Sequence, residues 1–382
     1  MLKLYLWKNS FLFILLFVPF ICGADKVEKI LGGGVSESRF SPFVTIAIAE
    51  NIKGFSLEVD GEIYDSEEKK SSIQGNYKVA FGKGKGIDIG GKLFESSVLT
   101  IRSKFSFIMV DEKMFRGDIV VHRLKEGFTV VNKLHIEDYV RGVINSEILA
   151  GWPFETKKAQ AVLARTYAVH AKMFSSKYKL YTLAPSVLDQ VYSGFKKEDM
   201  EANKAVDKTR GEVLTWNNRP ATIYFHSTCG GSTASSEEVW GKKIPYLKSV
   251  SCKHCKKSSL YRWRRVISNR KLRTDLKKSG FLKGKIRSIS VKRGKTRVKS
   301  VMVNGSREVP VNRFRAAVGF SVIWSNDFSV KKRSNSWEFR GKGAGHGVGA
   351  CQWGMASLAE KGKKYAEIVE YYFPGTKLKK MY

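Results

Sequence analysis

Between about residues 40 and 135 hydrophobic positions recur at every second residue, the period of a strand with one buried face. Val44, Ile46 and Ile48 alternate with smaller residues, and Phe55, Leu57 and Val59 alternate ahead of Asp60-Gly61, a dipeptide that favours a hairpin turn. Runs at 98–101, 105–110, 118–122 and 128–131 repeat the habit, broken by Gly117 and Gly127. The pattern predicts a strand-rich region over residues 25–124. No catalytic constellation shows in it.

The period then changes. After Pro153, a residue favoured in the first turn of a helix, Ala159, Val162, Leu163, Thr166, Val169 and Met173 follow at helical spacing. A shorter helix over 137–143 leaves Glu147 at the junction of two helical pieces. Gln160 and Arg165 lie off the centre of the apolar stripe, where they are expected to reach a cleft. Further along, the pattern predicts a helix over 200–209 and a strand over 221–225 that delivers the glycine-rich loop His226-Ser227-Thr228-Cys229-Gly230-Gly231. It also predicts a hairpin over 289–303, a turn at Asn304-Gly305, and helices over 355–361 and 365–372. Five glycines alternate between Gly341 and Gly349, which lets backbone approach a partner closely. That stretch lacks the spacing of a phosphate-binding loop. The chain has no internal repeat. The expected fold is α+β, a strand-rich N-terminal lobe followed by a mixed α/β catalytic core over 125–382. Glycine-rich loops would surround a cleft, and a basic hairpin insertion would occupy about 256–310.

Charge adds a partner class. The 382 residues hold 68 Lys and Arg against 35 Asp and Glu, a formal +33. Such a balance suits nucleic acid, a membrane surface or an acidic wall polymer. Lys3 and Lys8 precede an apolar run over 11–21 and the small residues Gly23 and Ala24, the make-up of a signal peptide cleaved after residue 24. The run is too short to span a bilayer comfortably. The protein is therefore expected in the periplasm or on the wall face of the envelope, with no stable membrane span after cleavage and no nucleic-acid partner.

Cys22 leaves with the signal, so Cys229, Cys252, Cys255 and Cys351 remain. An even number in an oxidising compartment allows two disulfides, and the Cys252-Lys-His-Cys255 pair equally allows one tetrahedral zinc. His226 and His254 are spare ligands. Either staple would tie the two glycine-rich loops together. Neither is required for chemistry.

The candidate for chemistry is Glu147. It stands as a lone carboxylate beside Ile148, Leu149 and Trp152, which are expected to desolvate it and raise its pKa. The bland alternative is that it caps the next helix or pairs with Arg165. Glu137 and Asp138 come earlier in the same motif.

Several stretches, in order, resemble the stage II sporulation protein D / LytB (SpoIID) family. They are residues 131–147, Lys158-Ala-Gln-Ala-Val-Leu-Ala-Arg-Thr-Tyr167, Asp189-Gln-Val-Tyr-Ser-Gly194, His226-Ser-Thr-Cys-Gly-Gly231, Phe314-Arg315, and Gly345-His-Gly-Val-Gly with Gln352-Trp-Gly354. The resemblance covers roughly residues 115–382. It implies a lytic transglycosylase that cuts the β-1,4 bond between N-acetylmuramic acid and N-acetylglucosamine. The implied substrate is peptidoglycan glycan stripped of stem peptides, and the product end is 1,6-anhydro. It also implies a catalytic glutamate matching Glu147 and an arginine matching Arg165. Arg165 or Lys158 would orient Glu147 or bind the lactyl carboxylate. Gln160, Gln190, Tyr192, His226, Ser227, His346 and Gln352 would bind or support substrate. A lytic enzyme uses the sugar's own 6-hydroxyl as nucleophile, so one carboxylate can act as acid and then as base, where a hydrolase needs two. Some family members are described as enhancers of a wall amidase, which leaves a non-catalytic alternative with an amidase partner. A zinc site has been associated with some members.

Overall fold

A computed structural model describes residues 40–184 and 189–382, so the signal peptide expected over residues 1–24 lies outside the described residues. The fold is α+β. A ten-stranded sheet runs in the order Phe43–Ile52, Phe128–His135, Asp118–Arg123, Val98–Ser103, Phe55–Tyr64, Lys70–Phe81, Ile87–Ile89 and Lys92–Phe94. Phe107–Val110 joins it on Phe55–Tyr64 and carries Lys113–Arg116 beyond.

The turn expected at Asp60-Gly61 is not one. Phe55–Tyr64 runs straight through it, with every second residue buried. Gly61 faces Ile73 on one side and Ser103 on the other. A Cβ there would lie 1.9 Å from the Arg102 carbonyl oxygen, so close strand approach explains the glycine. The boundary expected after residue 124 also shifts in meaning. It falls on the tight turn closed by Leu124 N–H and the Gly127 carbonyl, between two strands of the same sheet.

Among the described residues eight α-helices follow: α1 (Ile136–Glu147), α2 (Phe154–Phe174), α3 (Met200–Lys208), α4 (Ser236–Trp240), α5 (Asn269–Lys278), α6 (Val311–Val318), α7 (Gln352–Glu360) and α8 (Tyr365–Tyr372). Strand Phe128–His135 passes directly into α1, where His135 Nδ1 accepts from Glu137 N–H and caps the helix. Glu137 and Asp138 sit in the first turn, where acidic side chains suit the helix dipole. The helix runs four residues past the expected end at 143, so Glu147 is its last residue. Helix α2 is enclosed by α1 and α3, by α7 and α8, and by strand Glu212–Trp216. Its small alanines allow that approach, and the enclosure buries Gln160 and Arg165 as well.

The strand expected over 221–225 is shorter and displaced. Phe225–His226 pairs parallel with Ala350–Cys351, and that pairing brings the two glycine-rich loops side by side. The basic insertion is broader than a hairpin. Ile289–Arg293 and Val298–Val303 do pair, and Asn304 and Gly305 take positive φ in the next turn, as expected. Around them α5, α6 and the sheet Arg262–Ser268, Ser336–Lys342, Phe328–Lys332 enclose a separate core that includes Trp263, Leu272, Phe314, Trp337 and Phe339. Glu238 fastens this lobe by accepting from Thr296 N–H and Oγ1 and from Arg297 N–H. No described helix is long and apolar enough to cross a membrane.

Candidate active site

Glu147 ends α1, half-buried and still open to solvent. Its Oε1 accepts from Val191 N–H at 2.7 Å. Burial is the largest influence on the carboxyl and pushes its pKa above the ordinary value, while the Val191 N–H and the Gln352 side chain pull it back. Gln352 opens α7 and draws the carboxyl towards its charged form, yet its buried Nε2 has no hydrogen bond of ordinary geometry among the described residues. Trp152, between α1 and α2, meets Trp353 edge to face at 5.2 Å. Of the three residues expected to shield Glu147, Ile148 is buried and Leu149 is 57% exposed to solvent. No second carboxylate of the described residues bears on the ionisation of Glu147.

The segment Asp189–Gly194 holds this carboxylate in place. Gln190 and Tyr192, expected to touch sugar, are buried anchors. Gln190 Oε1 accepts from Tyr139 Oη at 2.8 Å, and Tyr192 Oη donates to Asn132 Oδ1 at 2.7 Å. Asp189 Oδ1 accepts from Tyr167 Oη and its Oδ2 accepts from Ala184 N–H. Gly142 gives the Tyr192 ring room against α1, since a Cβ would stand 2.6 Å from it. Ser146 Oγ bonds Ser193 Oγ at 2.9 Å. Val191 N–H is thus aimed at Glu147 by its neighbours on both sides.

Arg165 does not reach the cleft. It is wholly buried, and its Nε and Nη2 donate to Glu137 at the start of α1. Burial is the largest single influence and would raise the Glu137 pKa, but the charge and hydrogen bonds of Arg165, together with donation from Gly211 N–H and Tyr382 Oη, hold the carboxyl below its ordinary value. Gln160 is buried with neither amide atom partnered among the described residues. Lys158 pairs with Glu155 at 2.8 Å and lies over the Tyr365 ring.

The two histidines expected at the cleft tie loops together. His226 Nδ1 bonds the Val348 carbonyl at 3.1 Å, and burial depresses the ring to about 3. His346 Nε2 bonds the Phe225 carbonyl while its Nδ1 accepts from Val348 N–H, and burial depresses it to about 4. Both rings are therefore neutral near pH 7. Ser227 is closer to the site, because its carbonyl accepts from Trp353 N–H at 3.1 Å.

The four cysteines of the described residues converge. Cys229, Cys252, Cys255 and Cys351 are buried free thiols whose Sγ atoms lie within 4.8 Å of one another. Cys229 and Cys255 are 3.4 Å apart, far outside S–S bonding distance. Hydrogen bonding with Cys229 holds the thiols of Cys252 and Cys255 below their ordinary value, while the same contacts push Cys229 up and burial pushes Cys351 up. A tetrahedron with metal–sulfur bonds of about 2.3 Å has sulfur–sulfur edges of about 3.8 Å, inside the 4.8 Å limit of the cluster. Cys351 directly precedes Gln352, so the cluster anchors the start of α7 beside Glu147. His226 and His254 are not part of it.

Two features escaped the sequence. A backbone donor such as Val191 N–H leaves no residue-type signal. Trp353 stood inside a quoted motif, but only its contact with Trp152 gives it a place at the site.

The family model for stage II sporulation protein matches residues 124–216, which carry α1, Glu147 and Asp189–Gly194. Stage II sporulation protein D of Bacillus subtilis is 31% identical over 269 residues, which span 65% of this chain and 75% of that protein. The chain belongs to the stage II sporulation protein D family. An uncharacterised protein of Brachyspira hyodysenteriae is 33% identical over 262 residues, 68% of this chain and 71% of that one. The amidase enhancer of Bacillus subtilis is 30% identical over 294 residues, 63% of this chain and 40% of that longer protein. A domain of unknown function matches residues 246–349, the basic lobe with its approach.

Proposed function

We propose that this member of the stage II sporulation protein D family is exported, works at the cell wall and is a lytic transglycosylase. Its substrate is peptidoglycan glycan lacking stem peptides, cut between N-acetylmuramic acid and N-acetylglucosamine with a 1,6-anhydro end left behind. The observation that carries the reading is Glu147. It is one solvent-accessible carboxyl with a raised pKa, positioned by a backbone N–H, and no second carboxylate of the described residues bears on its ionisation. Protonated, Glu147 donates to the leaving glycosidic oxygen; as carboxylate it then takes the proton of the substrate's 6-hydroxyl, which closes the anhydro ring. The Trp152–Trp353 pair offers an apolar wall against which a sugar ring can pack.

Purified glycan, with and without stem peptides, tests the reading. Wild type is expected to release products lighter by one water than hydrolysis products, and Glu147→Gln to release none while keeping its fold. Ordinary reducing ends would make the protein a hydrolase. The relative named amidase enhancer favours a second reading, a peptidoglycan-binding protein that stimulates an amidase. In that case Glu147→Gln stimulates as well as wild type.

We read the four-thiol cluster as a structural zinc site held by Cys229, Cys252, Cys255 and Cys351. Zinc there would lock the two glycine-rich loops and the first turn of α7, with no part in the chemistry. Metal analysis with thiol counting tests this, and four free thiols without metal overturn it.

A further inference from the structure

Residues 262–342 hold 24 Lys and Arg against four Asp and Glu, a net +20 of the chain's formal +33. The structure arranges part of that charge on one side of a sheet. In Arg262–Ser268, Ser336–Lys342 and Phe328–Lys332, the core side carries Trp263, Ile267, Trp337, Phe339 and Phe328. The other side carries, in register, Arg262 opposite Lys342, Arg264 opposite Arg340, and Val266 opposite Glu338 opposite Lys331. Alternation along three paired strands therefore sends five cations outward together.

At the centre is one carboxylate. Glu338 accepts from Arg264, Arg333 and Arg340, whose side chains cover it down to 2% exposure. Those three hold its pKa well below the ordinary value. The arginines stay 60%, 43% and 64% exposed. A single negative charge thus fixes three guanidinium forks on the surface without neutralising them, and the forks keep free N–H groups of the kind that bind phosphate. Arg262, Lys331 and Lys342 flank them, exposed and without a carboxylate partner among the described residues. Val266, amid this charge, is 53% exposed.

We propose that this sheet face docks the protein peripherally on an anionic phospholipid surface. The face spans roughly 10 by 20 Å from strand spacing and rise, large enough to meet several headgroups at once. Its pre-set cations match headgroup phosphates, and the exposed valine suits the interfacial zone. The proposal is independent of the role given to Glu147.

Co-sedimentation of the purified protein with phosphatidylcholine vesicles, with and without phosphatidylglycerol, tests it. Binding is expected only to the anionic vesicles, and to fall as salt rises. The Arg262→Ser/Lys331→Ser/Lys342→Ser variant spares the Glu338 cluster and should bind more weakly by a factor on the order of a hundred. Removing the same charge from the strand-rich lobe, as Lys83→Ser/Lys85→Ser/Lys113→Ser, should change binding little. Equal losses in the two variants, or no binding to anionic vesicles, overturn the proposal. So does residue-dependent binding to heparin or duplex DNA without vesicle binding, which would make the face a polymer site. Should the triple variant melt early, the single Lys331→Glu replacement in the same assay decides.

Discussion

The Arg165 guanidinium and the Glu137 carboxylate form a wholly buried ion pair, Nη2 to Oε2 2.6 Å, that ties the middle of α2 to the first turn of α1. Gly211 N–H and Tyr382 Oη donate to the same carboxylate. The resemblance implied a site role for Arg165, yet the structure gives it this internal role, so its loss should act through the fold.

Replacing Arg165 with Met leaves Glu137 charged and buried beside an apolar chain. The expected cost is about 3–5 kcal/mol, read from urea unfolding. Adding Glu137→Gln should recover much of it. A stable Arg165→Met protein that has lost only cleavage would place Arg165 in the chemistry after all.

In the proposed reaction the acid form of Glu147 donates, so glycan cleavage should fall as pH rises through its pKa. Because burial raises that pKa, the falling limb should lie above the range of an ordinary carboxyl. Gln352 favours the charged form, so Gln352→Leu should move the limb to still higher pH. A limb that stays put in the pH–rate profile would separate Gln352 from Glu147.

Tyr192 is an anchor here. Tyr192→Phe removes the donor to Asn132 Oδ1 and should cost roughly 1–3 kcal/mol of stability. KM for glycan should stay within error, whereas a sugar-contacting ring hydroxyl would raise it.

Zinc removal offers a fourth check. Chelation, or Cys252→Ser, should lower the melting temperature by roughly 10 °C or more if the four thiols hold a structural metal. Adding zinc back should restore the chelated protein. The Cys252→Ser protein should remain soluble only where the hydrophobic core around the cluster suffices, and limited proteolysis would then cut first in the glycine-rich loops.

Much of this was legible in the residues themselves. Period-two alternation in Phe55–Tyr64 and period-3.6 spacing in α2 report local geometry, because a side chain's direction follows directly from its own backbone. The signals at Asn304-Gly305 and Pro153 work in the same way, and helical spacing on either side put Glu147 near the junction of α1 and α2, although α1 runs on to include it. Asp60-Gly61 misled because the same dipeptide serves a turn and a close strand contact, and only the neighbour at Arg102 distinguishes them. What lay beyond the sequence was partnership across the chain. Arg165 sits on a helix whose every side is covered, so its partner is Glu137 and not a ligand. Four cysteines separated by up to 122 positions meet only when the parallel pairing of Phe225–His226 with Ala350–Cys351 closes the loops. The donor that steadies Glu147 is a backbone N–H, common to nearly every residue type. Local pattern determined the elements and the lone acid, while tertiary contact decided which polar groups face solvent and which hold the fold together.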